Sequence, residues 1–424
     1  MDSVVYYSYY FYLAQCSMQL KMIRASHLED WGDEDWHKWD EFLKLKTPSA
    51  FLDSRSVKAA LCVENRSLTA VCWFNDNEDV KGIAIIEDTV ATSQSRGQFL
   101  KADKPFFKLA QTFLYRNEGI FRLNIRVMGS VLSSGDHAYR FDENVSELDR
   151  QALIKEALDF KVGKEGSNSI PRTFMVKDHY SNVPWSKRIS GKSFWDKKWI
   201  DIEFDPVMEI DLNPEWKTLD EYSSALRKKS RAKLRRIDKD SSALVLRELS
   251  YEEVVENADK LIALYSMVYG RAGFKLGMLY KEDLVFLKKY WKDDFPVIGY
   301  YFDNELVGFQ CGIVTDYSVE AFFVGFNLNE NKTHSIYQRM LIEFIKQGIA
   351  RGVMKISLGR TALDIKSSLG ACPKRLVCHM KVNNRPIIHS LMRAVASSSS
   401  PKIPKLKRAW DDELTSPLSI SSRS

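Results

Sequence analysis

Two periods of apolar positions run through the second half of the chain. From Ile336 to Gly352 the apolar residues recur about every 3.6 positions, which predicts a helix with one buried face that ends at the glycine. Shorter apolar stretches bounded by turn residues predict strands. These strands are predicted at 297–302, 306–314, 320–325 and 353–358, with a polar loop at 326–334.

The first half repeats this order of elements with almost no residue identity. A hairpin is predicted at 68–74 and 80–87, followed by a helix at 106–116, a strand at 121–127 and a loop at 129–139. The repeated order predicts an α/β fold of two tandem units, each with a mixed sheet. A single large α/β domain with an insertion is the alternative.

The segment between the two hairpin regions contains further periodic stretches. One strand is predicted within 172–180, ending at Lys177 and Asp178, and another at 202–212. A surface loop is predicted at 181–199, and helices at 219–239, 251–269 and 281–291. The first unit is then expected to cover 22–200 and the second 201–395. The first is the degenerate unit, in which the pattern is weaker. A ligand cleft is expected between or beside them.

Both ends of the chain contain little that could fold alone. Residues 1–21 are aromatic but lack a basic region, which is atypical of a signal peptide. They predict a disordered extension, either upstream of a natural start at Met22 or a flexible tail. Residues 396–424 are poor in apolar positions and predict a disordered tail. Both ends are expected to be dispensable for folding.

The composition is that of a folded cytoplasmic protein. Of the 424 residues 45% are hydrophobic and 12% aromatic, and no run of 18 apolar residues predicts a transmembrane helix. The six cysteines are scattered without a CxxC pair, so reduced thiols are expected and structural zinc is not. The formal net charge of +6 permits an anionic partner such as a coenzyme or tRNA but does not require one.

The stretch 359–371, GRTALDIKSSLGA, places polar residues directly after the strand predicted at 353–358. Ligands of open α/β sheets bind at this end of a strand, beside a helix N-terminus. Together with YQRML in the preceding helix, the stretch resembles the C-terminal half of the GNAT-type N-acyltransferases related to the Fem aminoacyltransferases. The resemblance covers about residues 200 to 395 and extends more weakly over about 60 to 200.

The resemblance implies a bacterial transferase of tandem-GNAT type that needs no metal. Such an enzyme moves an acyl group from an acyl-CoA, for example acetyl-CoA, to an amine of a small molecule or precursor by direct attack on the carbonyl. Two alternatives stay open. One is a Fem-like aminoacyltransferase that uses aminoacyl-tRNA, and the other is an inactive GNAT-like scaffold that binds a polyanion.

A GNAT fold binds acyl-CoA by splaying two central strands and pointing backbone N–H groups at the pyrophosphate. Its usual signature, Q/R-x-x-G-x-G/A, is absent from this chain. The equivalent place is occupied by Asn331, Lys332, Thr333 and Ser335, which are the expected cofactor-binding residues. The departure from the signature is a reason to keep the aminoacyl-tRNA alternative.

Five polar residues follow the strand predicted at 353–358. A fixed cation beside a carboxylate can orient an anionic substrate and accept the proton lost by an attacking amine. The expected catalytic residues here are Asp364 and Lys366, and the expected substrate-binding residues are Arg360, Thr361 and Ser367. In the alternative interpretation an Arg360–Asp364 ion pair only stabilises the loop.

The loop at 129–139, GSVLSSGDHAY, resembles a segment of the same acyltransferases, with Ser130 where asparagine is usual. His137 is the expected catalytic base, and Ser134 and Asp136 are expected to bind substrate. A loop histidine without a catalytic role is the alternative. A Ser–Asp–His hydrolase is not expected, because the chain has no G-x-S-x-G nucleophile elbow at this segment.

The stretch 226–240 contains eight basic and two acidic residues. On a helix these charges cover most of the surface, so a solvated face is one interpretation. Binding of the phosphate groups of a tRNA, a coenzyme or a nucleotide sugar is the other. No interleaved aromatic residues accompany the charges, which does not favour a dedicated nucleic-acid-binding protein.

Overall fold

The computed structural model describes residues 20–91, 123–160, 173–180, 199–271, 276–383, 389–390, 393 and 406–410. Over these ranges the chain forms two β-sheets with helices packed against them. The strands in chain order are β1 Lys21–Ala25, β2 Ser67–Phe74, β3 Val80–Ala91, β4 Leu123–Met128, β5 Tyr139–Phe141, β6 Thr173–Tyr180, β7 Trp199–Glu203, β8 Val207–Asp211, β9 Val245–Glu248, β10 Val297–Phe302, β11 Glu305–Val314, β12 Ser318–Phe326, β13 Lys355–Ser357, β14 Cys372–Lys374 and β15 Leu376–Val382.

The α-helices lie between these strands. In chain order they are α1 Asp33–Lys44, α2 Ser54–Leu61, α3 Glu147–Asp159, α4 Leu219–Ala225, α5 Lys228–Asp240, α6 Tyr251–Glu256, α7 Ala258–Tyr269, α8 Lys281–Trp291, α9 Leu328–His334, α10 Ile336–Arg351 and α11 Leu363–Ser368. Short 3₁₀ turns occur at Leu28–Asp30 and Lys292–Asp294.

The two sheets share one strand order. The first sheet runs β1-β2-β3-β4-β6-β15-β7, with β5 paired to β3, and the second runs β9-β10-β11-β12-β13-β8-β14. In each, an antiparallel meander leads to one parallel pair, β4 with β6 and β12 with β13. The predicted hairpins therefore occupy equivalent positions in two separate sheets. This arrangement confirms the predicted α/β fold of two tandem units.

Beyond its parallel pair, each sheet continues with two further strands. In the second sheet β13 pairs with β8, which precedes β9 to β13 in the chain, and in the first sheet β6 pairs with β15 from near the C-terminal end. The boundary expected at residue 200 lies within β7, and β15, expected in the second unit, pairs in the first sheet. The unit boundaries therefore remain a proposal.

The helix predicted from Ile336 to Gly352 is α10, and it buries the predicted face. Met340, Leu341, Phe344 and Ile345 are at most 2% exposed and join the core of the second unit. Gly352 ends the helix in the left-handed region at φ 65°, where glycine has no steric penalty. Burial of this face, rather than helix propensity, is what stabilises α10.

Four sequence predictions differ from the structure. The polar loop at 326–334 is largely helix α9, because the Asn327 side chain accepts hydrogen bonds from Asn329 N and Glu330 N and so caps it. The helix predicted at 219–239 is two helices that separate at Leu226, which is extended. The helix predicted at 251–269 likewise separates into α6 and α7, and the strand at 202–212 separates into β7 and β8.

The C-terminal prediction is wrong for residues 406–410. Ala409 is 2% exposed there, and its carbonyl accepts a hydrogen bond of 2.7 Å from Arg227 N. The Trp410 ring stacks on Trp216 with a centroid distance of 5.9 Å. These two residues carry enough apolar surface to fix the segment on the second unit. At the other end, Lys21 belongs to β1 and pairs with Phe74.

Several predicted segments lie outside the described residues. They are residues 1–19, the helix at 106–116, most of the loop at 181–199, and the parts of the C-terminal tail other than 406–410.

Candidate functional site

The parallel pair of the second sheet separates after three residues. Ser318 to Glu320 of β12 pair with Lys355 to Ser357 of β13. Beyond Glu320, β12 continues along β11, whereas the chain after β13 follows β8 through Leu358 N to Met208 O at 2.8 Å. The two strands therefore diverge at Glu320, and we call the space between them the second-sheet gap. Among the described residues no backbone hydrogen bond crosses it.

The β12 strand is irregular beside this gap. Cys311 pairs with Phe323 and Gly312 with Ala321, so Phe322 is an extra residue that forms a β-bulge. The residues from Ala321 to Val324 are all partly exposed. The Phe322 ring lies 5.3 Å from the ring of Phe51 in the first unit. The bulge thus faces the junction of the two units.

The first sheet has the equivalent gap, but its own chain fills it. After Met128 the strand β4 ends, and the loop 129–137 enters the space beside β6. Lys177 Nζ donates to Ser133 O, and Gly135 N donates to the Asp178 carboxylate at 3.2 Å. The loop is therefore part of the first unit's packing. Within the described residues, no comparable loop enters the space between β12 and β13 of the second sheet.

A group of polar side chains lies at the start of the second-sheet gap. It consists of Glu320, Glu209 and Lys355 from the second sheet with Tyr180 and Asp136 from the first unit, and we call it the junction cluster. Tyr180 Oη donates to Glu209 Oε1 at 2.7 Å, and Lys355 Nζ lies 3.6 Å from the same oxygen. The cluster brings both units to one place.

Glu320 occupies the last position of β12 that pairs with β13. Its side chain is buried, with 5% of the residue exposed, and Ser318 Oγ donates to its Oε1 at 2.9 Å. Burial raises the pKa of Glu320, while the charge of Lys355 opposes the shift. A carboxyl group with a raised pKa at a strand divergence is suited to proton transfer.

The functional residues predicted from the sequence do not include Glu320, Glu209, Lys355 or Tyr180. A signal for Glu320 was present, since it is the single charged residue of the predicted strand 320–325, EAFFVG. A charge within a buried strand requires a partner or a function. The other three gave no such signal, because their proximity depends on how the two units pack.

His137 and Asp136 lie on the first-unit side of the junction. His137 is 7% exposed, its Nδ1 lies 2.8 Å from Ser49 Oγ, and burial lowers its pKa well below the ordinary value. The ring is therefore neutral at pH 7. Burial raises the pKa of Asp136, whose carboxylate lies 3.7 Å from Arg140 Nη1. Ser134 is half-buried in the same loop.

Arg360 forms its ion pair with Asp178, a fully buried carboxylate of the first unit. The expected alternative, an Arg360–Asp364 pair, is therefore wrong. Burial would raise the pKa of Asp178, but the charges of Arg360 and Lys177 keep it below the ordinary value. Arg360 thus links the turn after β13 to the first unit, which gives it a structural role beside any ligand contact.

Asp364 points away from this ion pair. Its side chain is 63% exposed, and its Oδ2 accepts from Lys407 Nζ at 2.7 Å. Ser367 is buried, donates to Asp364 O at 3.0 Å and accepts from Lys407 N at 3.2 Å. The contacts of both residues are therefore with helix α11 and with the segment 406–410.

Lys366 is buried at 2% exposure and points back at the turn. Its Nζ donates to Arg360 O at 2.7 Å and to Gly359 O at 3.2 Å, and no carboxylate lies within ion-pair distance among the described residues. Burial lowers the pKa of Lys366 to about 7. The turn itself is strained, since Thr361 and Ala362 have φ of 66° and 48°. Lys366 thus fixes a turn that the backbone alone disfavours.

Replacing Lys366 with methionine should change how stability depends on pH. Its pKa is near 7 when folded and near 10.4 in an unfolded chain, so between these values the unfolded chain binds more protons. Wild-type stability should therefore rise from pH 7 to 9, by roughly 1 to 3 kcal/mol from this group. Urea unfolding at pH 7, 8 and 9 measures how the free energy of unfolding depends on pH. The rise with pH should be absent in Lys366→Met and should persist in Lys332→Met, where the replaced lysine is exposed. Equal slopes in all three proteins would contradict the assignment.

The expected coenzyme-binding residues do not form an open cradle for phosphate. Asn331 Oδ1 accepts from Tyr337 N at 2.8 Å and so caps helix α10, while α9 is capped by Asn327. Lys332 and Thr333 are exposed on α9, and Ser335 links the two helices in the left-handed region. Three amides at these helix N-termini, those of Asn329, Glu330 and Tyr337, are thus already engaged with asparagine side chains of the protein.

Helix α5 presents a basic surface. Ser230, Leu234 and Ile237 are buried on one side, so the cations lie on the other. Five of them have no carboxylate within ion-pair distance in the described structure, and we call these the α5 cations: Lys228, Lys229, Lys233, Arg235 and Lys239. Burial and then repulsion from Lys407 lower the pKa of Lys233. Lys407 in turn pairs with Asp364 of helix α11, so the basic surface of α5 lies beside α11.

The chain is similar to several solved structures, all at low identity. FemX is 10% identical with a TM-score of 0.48, over 84% of this chain and 98% of that one. The C-terminal domain of a putative lysylphosphatidylglycerol synthetase from Agrobacterium fabrum is 11% identical with a TM-score of 0.45, over 88% and 99%. A tandem GNAT protein from the clavulanic acid biosynthesis pathway is 9% identical with a TM-score of 0.43, over 86% and 98%.

Two of these neighbours, FemX and the tandem GNAT protein, bear the names of the kinds of protein that the sequence resembles. The likeness is loose, so the description of the fold rests on the strand order itself. No protein-family model matches the chain, and no curated protein matches it significantly.

No described helix has the length and apolar character needed to cross a membrane.

Proposed function

We propose that the protein is an N-acyltransferase whose reaction takes place at the second-sheet gap. The observation that carries this proposal is the divergence of β12 and β13 directly after Glu320, beside a β-bulge and a buried carboxyl group. An acyl chain laid in the gap would meet backbone groups of β12 that have no second strand partner. The tandem-GNAT resemblance of the sequence supports acyl transfer at this place in the fold.

In the proposed reaction the amine nitrogen attacks the carbonyl carbon of an activated ester or thioester. The new bond is C–N, and the bond that breaks is C–O or C–S. The attacking amine loses one proton, which Glu320 accepts, and the leaving alcohol or thiol takes up one. Burial suits Glu320 to this role because it raises the pKa of its carboxyl group. Positioning and a fixed base supply the catalysis.

The sequence-selected residues take different parts in this proposal. His137 and Asp136 form the first-unit wall of the junction, where neutral His137 is a second candidate base. Arg360 and Lys366 hold the turn at the far side of the gap. Thr361 and Asp364 are exposed on that turn and on helix α11, so they belong to the outer surface more than to the reacting centre. Ser367 is buried in α11, where its contacts are with Asp364 O and Lys407 N.

The donor is proposed to be an acyl-CoA-like thioester or an aminoacyl-tRNA, and one observation favours the second. Asparagine side chains cap the N-termini of α9 and α10, whereas the α5 cations provide a positive surface beside helix α11. An RNA backbone would bind such a surface through its phosphates. A CoA pyrophosphate would first have to displace two caps.

A binding and transfer assay distinguishes the candidates. Purified protein is titrated with acetyl-CoA, a mixture of aminoacyl-tRNAs and the same tRNAs after deacylation, and transfer to an amine mixture is followed by mass spectrometry. Acyl transfer from either donor supports the enzyme, and the donor that reacts is identified directly. Binding of acylated and deacylated tRNA with equal affinity and no transfer from any donor would favour the inactive scaffold.

A further inference from the structure

The segment 406–410 is fixed to helix α11 and to the residues just after it. Trp410 Nε1 donates to Gly370 O at 2.8 Å, and Lys407 N donates to Ser367 Oγ at 3.2 Å. Lys407 Nζ adds an ion pair with Asp364. A segment of five residues therefore makes three polar contacts with a stretch of seven, 364–370.

The other side of the segment is anchored in the second unit. Trp410 forms an isolated antiparallel bridge with Leu226 at the separation of α4 and α5. Its ring stacks on Trp216 and meets Tyr222 edge-on at a centroid distance of 5.4 Å. Tyr222 in turn donates its hydroxyl to Leu369 O. Two aromatic residues therefore bind consecutive carbonyls, those of Leu369 and Gly370.

Gly370 shows how close this packing is. A Cβ atom there would lie 2.7 Å from the Trp410 ring and would also collide with the Tyr222 hydroxyl. Its φ of 110° is in addition a conformation that favours glycine. The end of α11 is thus held by shape as well as by hydrogen bonds.

The same helix carries Lys366, whose ammonium nitrogen binds the carbonyls of Gly359 and Arg360. A continuous series of contacts therefore runs from Trp410 through α11 and Lys366 to the strained turn at Gly359 to Ala362. That turn forms the far side of the second-sheet gap. The strain in two consecutive left-handed residues persists only where surrounding contacts maintain it.

We propose that residues 406–410 are a positioning strap, which acts through α11 and Lys366 to hold the turn at the second-sheet gap in its ligand-binding conformation. Trp410 is the main positioning residue of this strap. The functional part of the inference rests on the proposed acyl transfer, whereas the mechanical part can be measured without it. Loss of the strap should release the turn while both sheets stay folded.

Hydrogen exchange with mass spectrometry tests the mechanical part. In Trp410→Ala the amides of 359–371 should exchange at least ten-fold faster than in wild type, with β2 and β3 unchanged. Trp410→Phe, which keeps a ring but loses the bond to Gly370 O, should give about a five-fold increase. Trp36→Ala is the matched control, since Trp36 is buried in a core cluster of the first unit that contains no residue of 359–371 or 406–410. An increase below two-fold in both Trp410 variants would overturn the proposal.

A steady-state comparison tests the functional part with the donor that reacts in the transfer assay. The KM for that donor should rise ten-fold or more in Trp410→Ala while kcat changes less than three-fold, and Trp410→Phe should recover part of the loss. Faster exchange with unchanged kinetics would overturn the link to ligand binding. Absence of transfer in wild type and variants alike would instead contradict the proposed function and leave the exchange result as the measure of the strap.

Discussion

Replacing Arg66 with methionine should lower the free energy of unfolding by about 3 to 5 kcal/mol. Its side chain is 4% exposed and binds two carboxylates from different units. Arg66 Nε lies 2.5 Å from Asp283 Oδ1, and Nη1 lies 2.6 Å from Glu87 Oε1. Burial alone would lower the pKa of Arg66, but Asp283 and Glu87 raise it above the ordinary value, so the guanidinium stays charged.

The cost arises because methionine leaves both carboxylates buried without a cation. Glu87 Oε2 would still accept from Val131 N at 2.9 Å, and Asp283 Oδ2 from Tyr280 N at 2.7 Å. Neither bond neutralises a buried charge. Because Glu87 is in β3 and Asp283 in α8, the same loss should also weaken the contact between the two units.

Urea unfolding followed by circular dichroism measures this effect. Arg351→Met is the matched control, since Arg351 pairs with Asp294 at the surface, where both side chains are more than one third exposed. The control should change stability by about 0.5 kcal/mol or less. If Arg66→Met loses no more unfolding free energy than the control, the ion pairs of Arg66 with Asp283 and Glu87 contribute little to stability. A transition in two steps would show that the units unfold separately without it.

The sequence predicted those parts of the fold that depend on local periodicity. The two hairpins, helix α10 and the strand β12 are each defined by apolar positions within one element, and all are present. The break between α4 and α5 could not be predicted in this way. Leu226 is extended there because it bridges Trp410, and no local pattern reveals a partner so distant in the chain.

In the candidate site, too, local features could be predicted from the sequence and contacts between distant residues could not. The polar turn at 359–362 was recognisable because it follows a strand and carries charge that folding does not require. The partner of Arg360 was not, since Asp178 lies 182 residues earlier and reaches the turn only through the packing of the two units. The loop containing Ser134, Asp136 and His137 is predicted to bind substrate and supply a base, and in the structure it also fills the gap of the first sheet.

With the donor that reacts in the transfer assay, Glu320→Gln should lower kcat/KM at least about a hundred-fold, which corresponds to about 2.7 kcal/mol of transition-state stabilisation. Glutamine keeps the size of the side chain and can still accept from Ser318 Oγ, but it cannot accept the proton of the attacking amine. Stability should change little or rise, because the substitution removes a carboxyl group whose charged form burial disfavours.

Glu343→Gln is the control for this substitution. Glu343 is a partly buried carboxylate on α10 that pairs with Arg339 and Lys346, away from the divergence of β12 and β13. Its replacement should leave kcat/KM within about three-fold of wild type. A pH profile adds a second test, because a base with a raised pKa loses activity on acidification at a higher pH than an exposed glutamate, whose pKa is about 4.3. If Glu320→Gln retains the wild-type rate and pH profile, the proton goes elsewhere, and neutral His137 across the junction becomes the base to replace next.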